Sequence, residues 1–372
     1  MSARITVKPE AAPRVEAGIQ AFAQTVALWQ RAHGRHGLPW QDTKDPYRIW
    51  LSEIMLQQTQ VATVMGYYQR FLQRFPTVQS LAQATQEEVM PYWAGLGYYA
   101  RARNLHRCAQ VLCELWEGRF PNAAADIMTL PGIGRSTAAA IAAFAHGERS
   151  PIMDGNVKRV FTRYFGIEGD PSKRAVEQLL WQTAEKALEA APTELDMKAY
   201  TQGLMDLGSG VCTRTRPNCA ACPLTNGCHA RQEARQHELP TPKARKRPAE
   251  RHCAMLILEH SDSVLLHQRP SSGIWGGLLS LPQFDTYDEL QRACAHWGLR
   301  LSPSQKMAGL SHTFTHFKLH IEPWLVVAEG GLVMETAPSH IWLQTAELPD
   351  AALPTPVRKL LDGLYGRRMT PT

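Results

Sequence analysis

The chain has 372 residues, enough for two or three domains, and 44% of them are hydrophobic, so a sizeable core is expected. No run approaches the roughly 18 uninterrupted apolar residues of a membrane span, and the N-terminal segment lacks the apolar centre of a signal peptide. These features disfavour membrane and exported proteins, while the net charge of +6 permits binding to nucleic acid without establishing it.

Residues 14–208 carry the apolar spacing of helices. Apolar side chains recur three and four positions apart in segments such as YRIWLSEIMLQQTQVATVMGYYQRF, and prolines interrupt the pattern. This predicts a compact domain of short helices. Glu53 lies among apolar residues of one such helix, and a carboxyl group held against apolar surface favours its protonated form.

The motif LPGIGRSTA, residues 130–138, lies between two helical segments. Gly132 and Gly134 in a tight turn that opens a helix present backbone N–H groups to a phosphate. The alternative is an ordinary turn between two helices. The alanine-rich segment that follows favours a helix-hairpin-helix element that binds the DNA backbone.

Asp154 precedes a glycine in PIMDGNVKRV and should cap the next helix. It is also a candidate catalytic carboxylate, with Glu53 as the second. Cleavage of a glycosidic bond needs an acid for the leaving group and an anion beside the oxocarbenium-like sugar. Glu53 and Asp154 could divide these roles.

Four cysteines follow in the spacing C-x6-C-x2-C-x5-C: Cys212, Cys219, Cys222 and Cys228. Such a loop can hold an iron–sulfur cluster with four thiolate ligands. A structural zinc ion or a pair of disulfides are the alternatives. A reducing compartment favours a metal centre over disulfides.

The composition changes after the cysteine loop. Residues 231–251 are charged and contain proline, which indicates an interdomain linker. Residues 252–366 contain short apolar and β-branched runs, which predict an α+β domain. His312, His316 and His320 recur at four-residue intervals, which would suit a metal site on a helix. The surrounding β-branched and aromatic alternation favours a strand on which they share one face.

These motifs together resemble the endonuclease III superfamily of DNA glycosylases. LPWQDTKDPYRIWLSEIMLQQTQVATV, GLGYYARARNL, PIMDGNVKRV and MDLGSGVCT are most similar to the MutY family of adenine DNA glycosylases, and the resemblance covers nearly the whole chain. It implies a multi-domain fold: an all-α helix-hairpin-helix glycosylase domain over 14–230 with an iron–sulfur loop at 212–228, the linker, and a C-terminal α+β MutT-like (Nudix-fold) domain over 252–366.

The resemblance also implies a function. The substrate would be double-stranded DNA in which adenine is mispaired with 8-oxoguanine or guanine, and the cysteines would hold one 4Fe–4S cluster. The enzyme would be a monomer in the bacterial cytoplasm, associated with the nucleoid through DNA binding.

Site residues follow by resemblance as well. Glu53 matches the general acid at adenine N7, Asp154 the carboxylate that stabilises the sugar cation, and Asn156 an assisting polar residue. Adenine must leave the base stack to reach Glu53. The other matches are DNA contacts (Gln58, Tyr98, Gly132, Gly134, Ser136), the base pocket (Leu38, Trp40, Gln202) and 8-oxoguanine recognition (Phe314, Thr315, His316). The alternative for Tyr98 is core packing.

Ser136 separates subfamilies. Members with lyase activity have a lysine there, which forms a Schiff base with the sugar. A hydroxyl group cannot form an imine, so the sequence predicts a monofunctional hydrolase in which water is the final nucleophile.

The C-terminal domain should bind 8-oxoguanine and should not catalyse the hydrolysis typical of Nudix enzymes. The R-E-x-x-E-E run of hydrolytic Nudix domains is missing, and FDTYDELQRACAHWGL has too few carboxylates to hold the metals. Thr315 stands where the family usually has serine. It keeps the hydroxyl group and adds a methyl group.

Two other readings remain. A bifunctional glycosylase and lyase is opposed by Ser136 and by the second domain. A DNA-binding redox regulator would use the cluster as sensor, but it leaves the pairing of Glu53 with Asp154 unexplained.

Overall fold

The computed structural model describes residues 12–243, 249–299, 305–328 and 339–366. They form two compact units, one from the described parts of Met1–Val61 and Cys108–Arg245, the other from those of Ala62–Arg107 and Lys246–Thr372. No helix in these described ranges has both the length and the apolar character needed to cross a membrane.

The helices begin and end where local chemistry predicts. Thr85, for example, caps a helix in a reciprocal box with Glu88, and Gly147 and Gly166 end two others in the left-handed conformation. In chain order the described helices are α1 (Ala12–His33), α2 (Pro46–Leu56), α3 (Val61–Arg74), α4 (Val78–Gln83), α5 (Gln86–Trp93), α6 (Ala100–Leu115), α7 (Ala124–Ile127), α8 (Arg135–His146), α9 (Gly155–Phe165), α10 (Arg174–Glu189), α11 (Met197–Asp206), α12 (His229–Gln232), α13 (Tyr287–His296) and α14 (Thr355–Tyr365). A π-helical turn, Leu207–Val211, continues α11.

The core of the first unit lies between α1 and helices α8 to α11. Phe22 and Phe161 are fully buried there with ring centroids 5.2 Å apart, and Leu204 of α11 packs in the same cluster. Helix α8 is narrow, because most of its buried side chains are alanines. It contacts α2 and α11, so the small residues let these helices approach closely.

The second unit contains a seven-stranded sheet in the order β3-β2-β1-β6-β5, with β4 paired to β1 and β7 to β2. The strands are β1 (Ala249–His260), β2 (Ser263–Gln268), β3 (Leu279–Ser280), β4 (Gln283–Phe284), β5 (Leu310–Thr313), β6 (Phe317–Val327) and β7 (His340–Gln344). Strands β1 and β6 are parallel over eleven register pairs, from Ala249↔Phe317 to Glu259↔Val327, and the other pairs are antiparallel. Leu290 and Cys294 of α13 pack on one face of this sheet.

The predicted fold class, a helical domain followed by an α+β domain, is confirmed. Within the predicted linker, 231–232 end α12, 249–251 begin β1, and 244–248 lie outside the described residues. Arg163 donates a hydrogen bond of 2.8 Å to the carbonyl oxygen of Leu239, and Leu239 is buried. The first part of this segment is therefore fixed to the first unit.

Candidate active site

Glu53 lies in the middle of α2, which begins where Asp45 accepts a hydrogen bond from the backbone N–H of Tyr47 (2.9 Å). Part of Glu53 is accessible to solvent. Burial of its carboxyl group, and after it the repulsion from Asp154, nevertheless raise the pKa of Glu53 from 4.5 to about 8. At neutral pH Glu53 is therefore mostly protonated and can donate a proton.

Asp154 is the N-cap of α9. Its Oδ1 accepts a hydrogen bond from the backbone N–H of Val157 (2.8 Å), and its Oδ2 accepts one from Nδ2 of Asn156 (3.3 Å). Burial raises the pKa of Asp154, while these hydrogen bonds and the positive charge of Arg159 oppose the rise. The contacts favour the anion at Asp154, whereas the surroundings of Glu53 favour the neutral acid. Such a pair suits an acid and an anion in one reaction.

The hairpin motif connects the two carboxyl-bearing segments. Gly132 has φ +76°, and Gly134 is the N-cap of α8. In the first turn of α8, the hydroxyl of Thr137 accepts a hydrogen bond from Nε2 of Gln57 at the end of α2 (3.3 Å). The hydroxyl of Ser136 accepts one from the backbone N–H of Met153 (2.9 Å). One turn of helix thus fixes both sides of the site.

Arg159 is a site residue that the sequence analysis missed. Its Nη2 donates to Oδ1 of Asn156 (2.8 Å) and to the carbonyl oxygen of Gly208, and its Nε donates to the carbonyl oxygen of Cys212 (2.7 Å). Asn156 in turn donates to Asp154. A continuous chain of hydrogen bonds therefore runs from the catalytic candidate to the first cysteine. The one feature of the sequence that could have indicated Arg159 is its i, i+3 spacing from Asn156 on α9.

Gly208 allows the close approach that this chain of hydrogen bonds needs. A Cβ atom at Gly208 would lie 2.5 Å from Cβ of Asn156 and 2.9 Å from its backbone. Gly210, in the same π-helical turn, has no atom within 4 Å of such a Cβ. The turn after α11 therefore requires glycine at 208 for packing and not for its backbone angles.

The residues predicted for the base pocket lie on two segments that are joined by hydrogen bonds. The amide of Gln202 donates to Oδ1 of Asp206 (2.8 Å), and Arg35 donates to the same carboxylate from its side chain (2.7 Å) and its backbone (2.8 Å). Leu38 follows three residues later and is partly buried, whereas Trp40 is 7% exposed. Asp206 thus fixes the segment of Leu38 and Trp40 on α11.

Gln58 and Tyr98, two of the predicted DNA contacts, share an unusual backbone conformation. Their φ angles are +57° and +50°, in the left-handed region that side chains other than glycine rarely adopt. Gln58 is exposed, and Tyr98 is 46% exposed, which excludes the alternative of core packing for Tyr98. Strained residues of this kind cluster at functional sites.

The four cysteines come together beside Arg163, whose Nη1 lies 3.2 Å from Sγ of Cys212. Burial raises the pKa of Cys222 to about 11, and the charges of the other three thiols add to the rise. Four thiolates in one loop are the ligand set of a cubane iron–sulfur cluster and also of an all-cysteine zinc site.

The predicted recognition residues form the turn between β5 and β6. The Phe314 ring stacks on Phe317 with centroids 4.5 Å apart and lies 5.5 Å from the Trp275 ring. The backbone N–H of Phe314 donates to the carbonyl oxygen of Phe317 (2.8 Å). Thr315 and His316 are exposed at the tip. The aromatic base thus fixes a turn whose tip is free to contact a ligand.

The prediction that His312, His316 and His320 share a face is wrong. His312 lies on β5, His316 in the turn and His320 on β6. His312 pairs with Leu319, and Ser311 pairs with His320, so His312 and His320 lie on opposite faces of the sheet. The chain reverses at 314–316, and a hairpin does not keep the two-residue period of a single strand.

Comparison with known proteins gives two family matches, the HhH-GPD superfamily of base excision DNA repair proteins over residues 51–186 and the NUDIX domain over 253–363. The adenine DNA glycosylase of Buchnera aphidicola subsp. Schizaphis graminum (strain Sg) is 34% identical, over 92% of this chain and 99% of that protein. The Homo sapiens adenine DNA glycosylase is also 34% identical, over 95% of this chain and 75% of that protein.

Among solved structures, a thermostable thymine-DNA glycosylase matches with a TM-score of 0.52 and 27% identity. The match covers 60% of this chain and 99% of that one. The helical part therefore has the fold of base excision glycosylases, and the C-terminal part is Nudix-like.

Proposed function

Because this chain belongs to the adenine DNA glycosylase family, we propose that it removes adenine mispaired with 8-oxoguanine or guanine from double-stranded DNA. The observation that supports a glycosidase mechanism most directly is the raised pKa of Glu53, about 8, beside the hydrogen-bonded carboxylate of Asp154. Burial and the nearby charge of Asp154 raise the proton affinity of Glu53, which supports Glu53 as the acid and Asp154 as the anion.

In the proposed reaction the adenine leaves the base stack and enters the pocket of Leu38, Trp40 and Gln202. Glu53 transfers its proton to N7, and the bond between C1′ and the base breaks with its electron pair on adenine. Asp154, oriented by Asn156, stabilises the positive charge on the sugar. Water then adds to C1′, and the proton it loses restores Glu53.

Ser136 supports a monofunctional enzyme. A lysine amine at this position could attack C1′ and form an imine, whereas the hydroxyl of Ser136 is already an acceptor for the N–H of Met153. The products are therefore free adenine and an intact strand with an abasic site.

The four cysteines would hold a 4Fe–4S cluster, whose contribution here is to order the loop that Arg159 and Arg163 contact. In the second unit, the exposed Thr315 and His316 would contact the 8-oxoguanine opposite the adenine. Gln58 and Tyr98 would occupy the space beside the lesion.

The test is adenine release from A:8-oxoguanine and C:8-oxoguanine duplexes by wild type, Glu53→Gln and Glu194→Gln. Glu194 is an exposed glutamate of the same unit and serves as the matched control. We expect release from the first duplex only, at equal rates for wild type and the control, and a rate lower by about 10²-fold or more for Glu53→Gln. Release at the wild-type rate by Glu53→Gln would show that another group supplies the proton.

A further inference from the structure

A pair of histidines lies on the central strands of the C-terminal sheet, apart from the residues of the proposed active site and of the turn 314–316. His252 of β1 and His320 of β6 are register partners in the parallel pair, so their side chains project from the same face. Their rings are stacked, with centroids 4.7 Å apart and an interplanar angle of 16°. The strand pairing therefore brings two imidazole groups together from positions 68 residues apart, as the register His252↔His320 shows.

Glu250 adds a carboxylate to the same face, because it lies two residues before His252 on β1. Oε2 of Glu250 is 3.1 Å from Nε2 of His320. One ligand atom from each of Glu250, His252 and His320 lies within 4.8 Å of the others. The distance of 3.1 Å between Glu250 and His320 is close to the separation of about 3.3 Å between two nitrogen or oxygen ligands on one tetrahedral zinc ion.

A fourth residue orients His320. Nδ1 of His320 lies 3.0 Å from the hydroxyl oxygen of Ser311 on β5, so Nε2 is the nitrogen that faces Glu250. Histidine ligands of metals commonly have their second nitrogen fixed by a hydrogen bond in this way. A hydrogen bond between Glu250 and His320 would not require the imidazole of His252. A metal ion, in contrast, would bind Glu250, His252 and His320 together.

We propose that Glu250, His252 and His320 form a binding site for a divalent transition-metal ion such as zinc. Two imidazoles and one carboxylate are a ligand set that zinc accepts, and three protein ligands leave one position for water. The ion would join β1 to β6, and through Ser311 it would also constrain β5. Strands β5 and β6 flank the turn 314–316, so the site would stabilise the base of that turn.

The experiment uses the untagged full chain with its cysteine centre loaded. Zinc chloride is titrated into wild type, His252→Gln, His320→Gln and His296→Gln, and the zinc retained after dialysis is measured beside the visible absorption of the cluster. His296, exposed at the end of α13, is the matched control. We expect one zinc per chain in wild type and His296→Gln, with affinity lower by at least about tenfold in each of the other two.

Zinc should also raise the thermal midpoint of wild type and of His296→Gln, and not that of the two site variants. Circular dichroism of the zinc-free variants shows whether they are folded. Wild type that binds no zinc, or zinc retained equally by His252→Gln and His320→Gln, overturns the proposal. The second result, combined with lost cluster absorption, would place the zinc at the cysteines.

Discussion

The hydroxyl of Ser136 accepts a hydrogen bond of 2.9 Å from the backbone N–H of Met153, the residue immediately before Asp154. The first turn of α8 is thereby fixed to the segment that carries Asp154, the proposed catalytic anion. Thr137, the next residue, accepts a hydrogen bond from the end of the helix that carries Glu53. The position proposed to distinguish a hydrolase from a lyase is thus also part of the support of the site.

Replacement of Ser136 by lysine should introduce lyase chemistry, because it places an amine beside Asp154 where an imine with the sugar can form. Borohydride reduction during turnover should trap a covalent complex with DNA for Ser136→Lys and none for wild type. Loss of the bond to Met153 should lower the free energy of unfolding by about 1–3 kcal/mol. Ser209→Lys, at an exposed position, is the control and should give no adduct. Efficient strand cleavage by clean wild-type protein would contradict the assignment.

Glu53 should make stability depend on pH. Its pKa is raised from 4.5 to about 8 in the folded protein, so its stabilising contribution is complete below about pH 4.5 and is lost as the pH rises through 8. Glutamine cannot ionise, so Glu53→Gln should show a shallower loss of stability and exceed wild type above about pH 8. The midpoints of urea unfolding of both proteins, measured as a function of pH from about 4.5 to above 8, test this prediction. Parallel pH profiles would mean that Glu53 titrates normally.

Arg159→Lys should lower the rate of adenine release by about tenfold or more. Lysine keeps the charge but cannot donate at once to Asn156 and to the carbonyl oxygens of Gly208 and Cys212. Asn156 then orients Asp154 less well, and a loss of orientation acts mainly on kcat. Single-turnover kinetics measure the effect. Arg174→Lys, on an exposed arginine, is the control, and an equal loss in both would exclude a specific role for Arg159.

Gly208→Ala should destabilise the protein by about 1–3 kcal/mol and reduce activity, since the new methyl group would lie 2.5 Å from Cβ of Asn156. Gly210→Ala adds the same methyl group in the same turn, where no atom lies within 4 Å. The comparison removes any general effect of alanine on the turn. Thermal midpoints and adenine release should change for the first variant only; equal behaviour of the two would show that Asn156 has room to move.

Gln58→Gly should separate stability from activity. Glycine adopts φ +57° without strain, so the variant should gain up to about 1 kcal/mol of folding free energy. It loses the side chain proposed to lie beside the flipped adenine, so adenine release should fall. Gln58→Ala, which keeps the strain and also lacks the amide, should lose activity without the gain in thermal midpoint. Equal midpoints for the two variants would argue against strain at this position.

The parts of the structure that the sequence predicted depend on local patterns. The 3.6-residue period set the helices around Glu53, and the cap chemistry of Asp154 and Gly134 set two helix starts. The apolar surroundings of Glu53 also indicated the direction of its pKa shift. Each of these features is encoded within a few residues, where propensity and capping decide the outcome.

The missed features depend on contacts between distant residues. Arg159 reaches Cys212, 53 positions away, and His252 meets His320 through a parallel strand pairing. The sequence around each of these residues contains no pattern that predicts its distant partner. The left-handed backbone of Gln58 was equally invisible, because glutamine has no preference for that region and the surrounding structure imposes it.

The alanines of α8 carry a consequence for the chemistry. Helix α8 contacts α2 and is hydrogen-bonded to the segment before Asp154. The size of its side chains therefore determines the distance between the carboxyl groups of Glu53 and Asp154. A bulkier residue inside it would push the two carboxyl groups apart and weaken their mutual repulsion. The acid would then ionise at lower pH, and a shift of the alkaline limb of the rate profile would register the change, although neither carboxylate had been replaced.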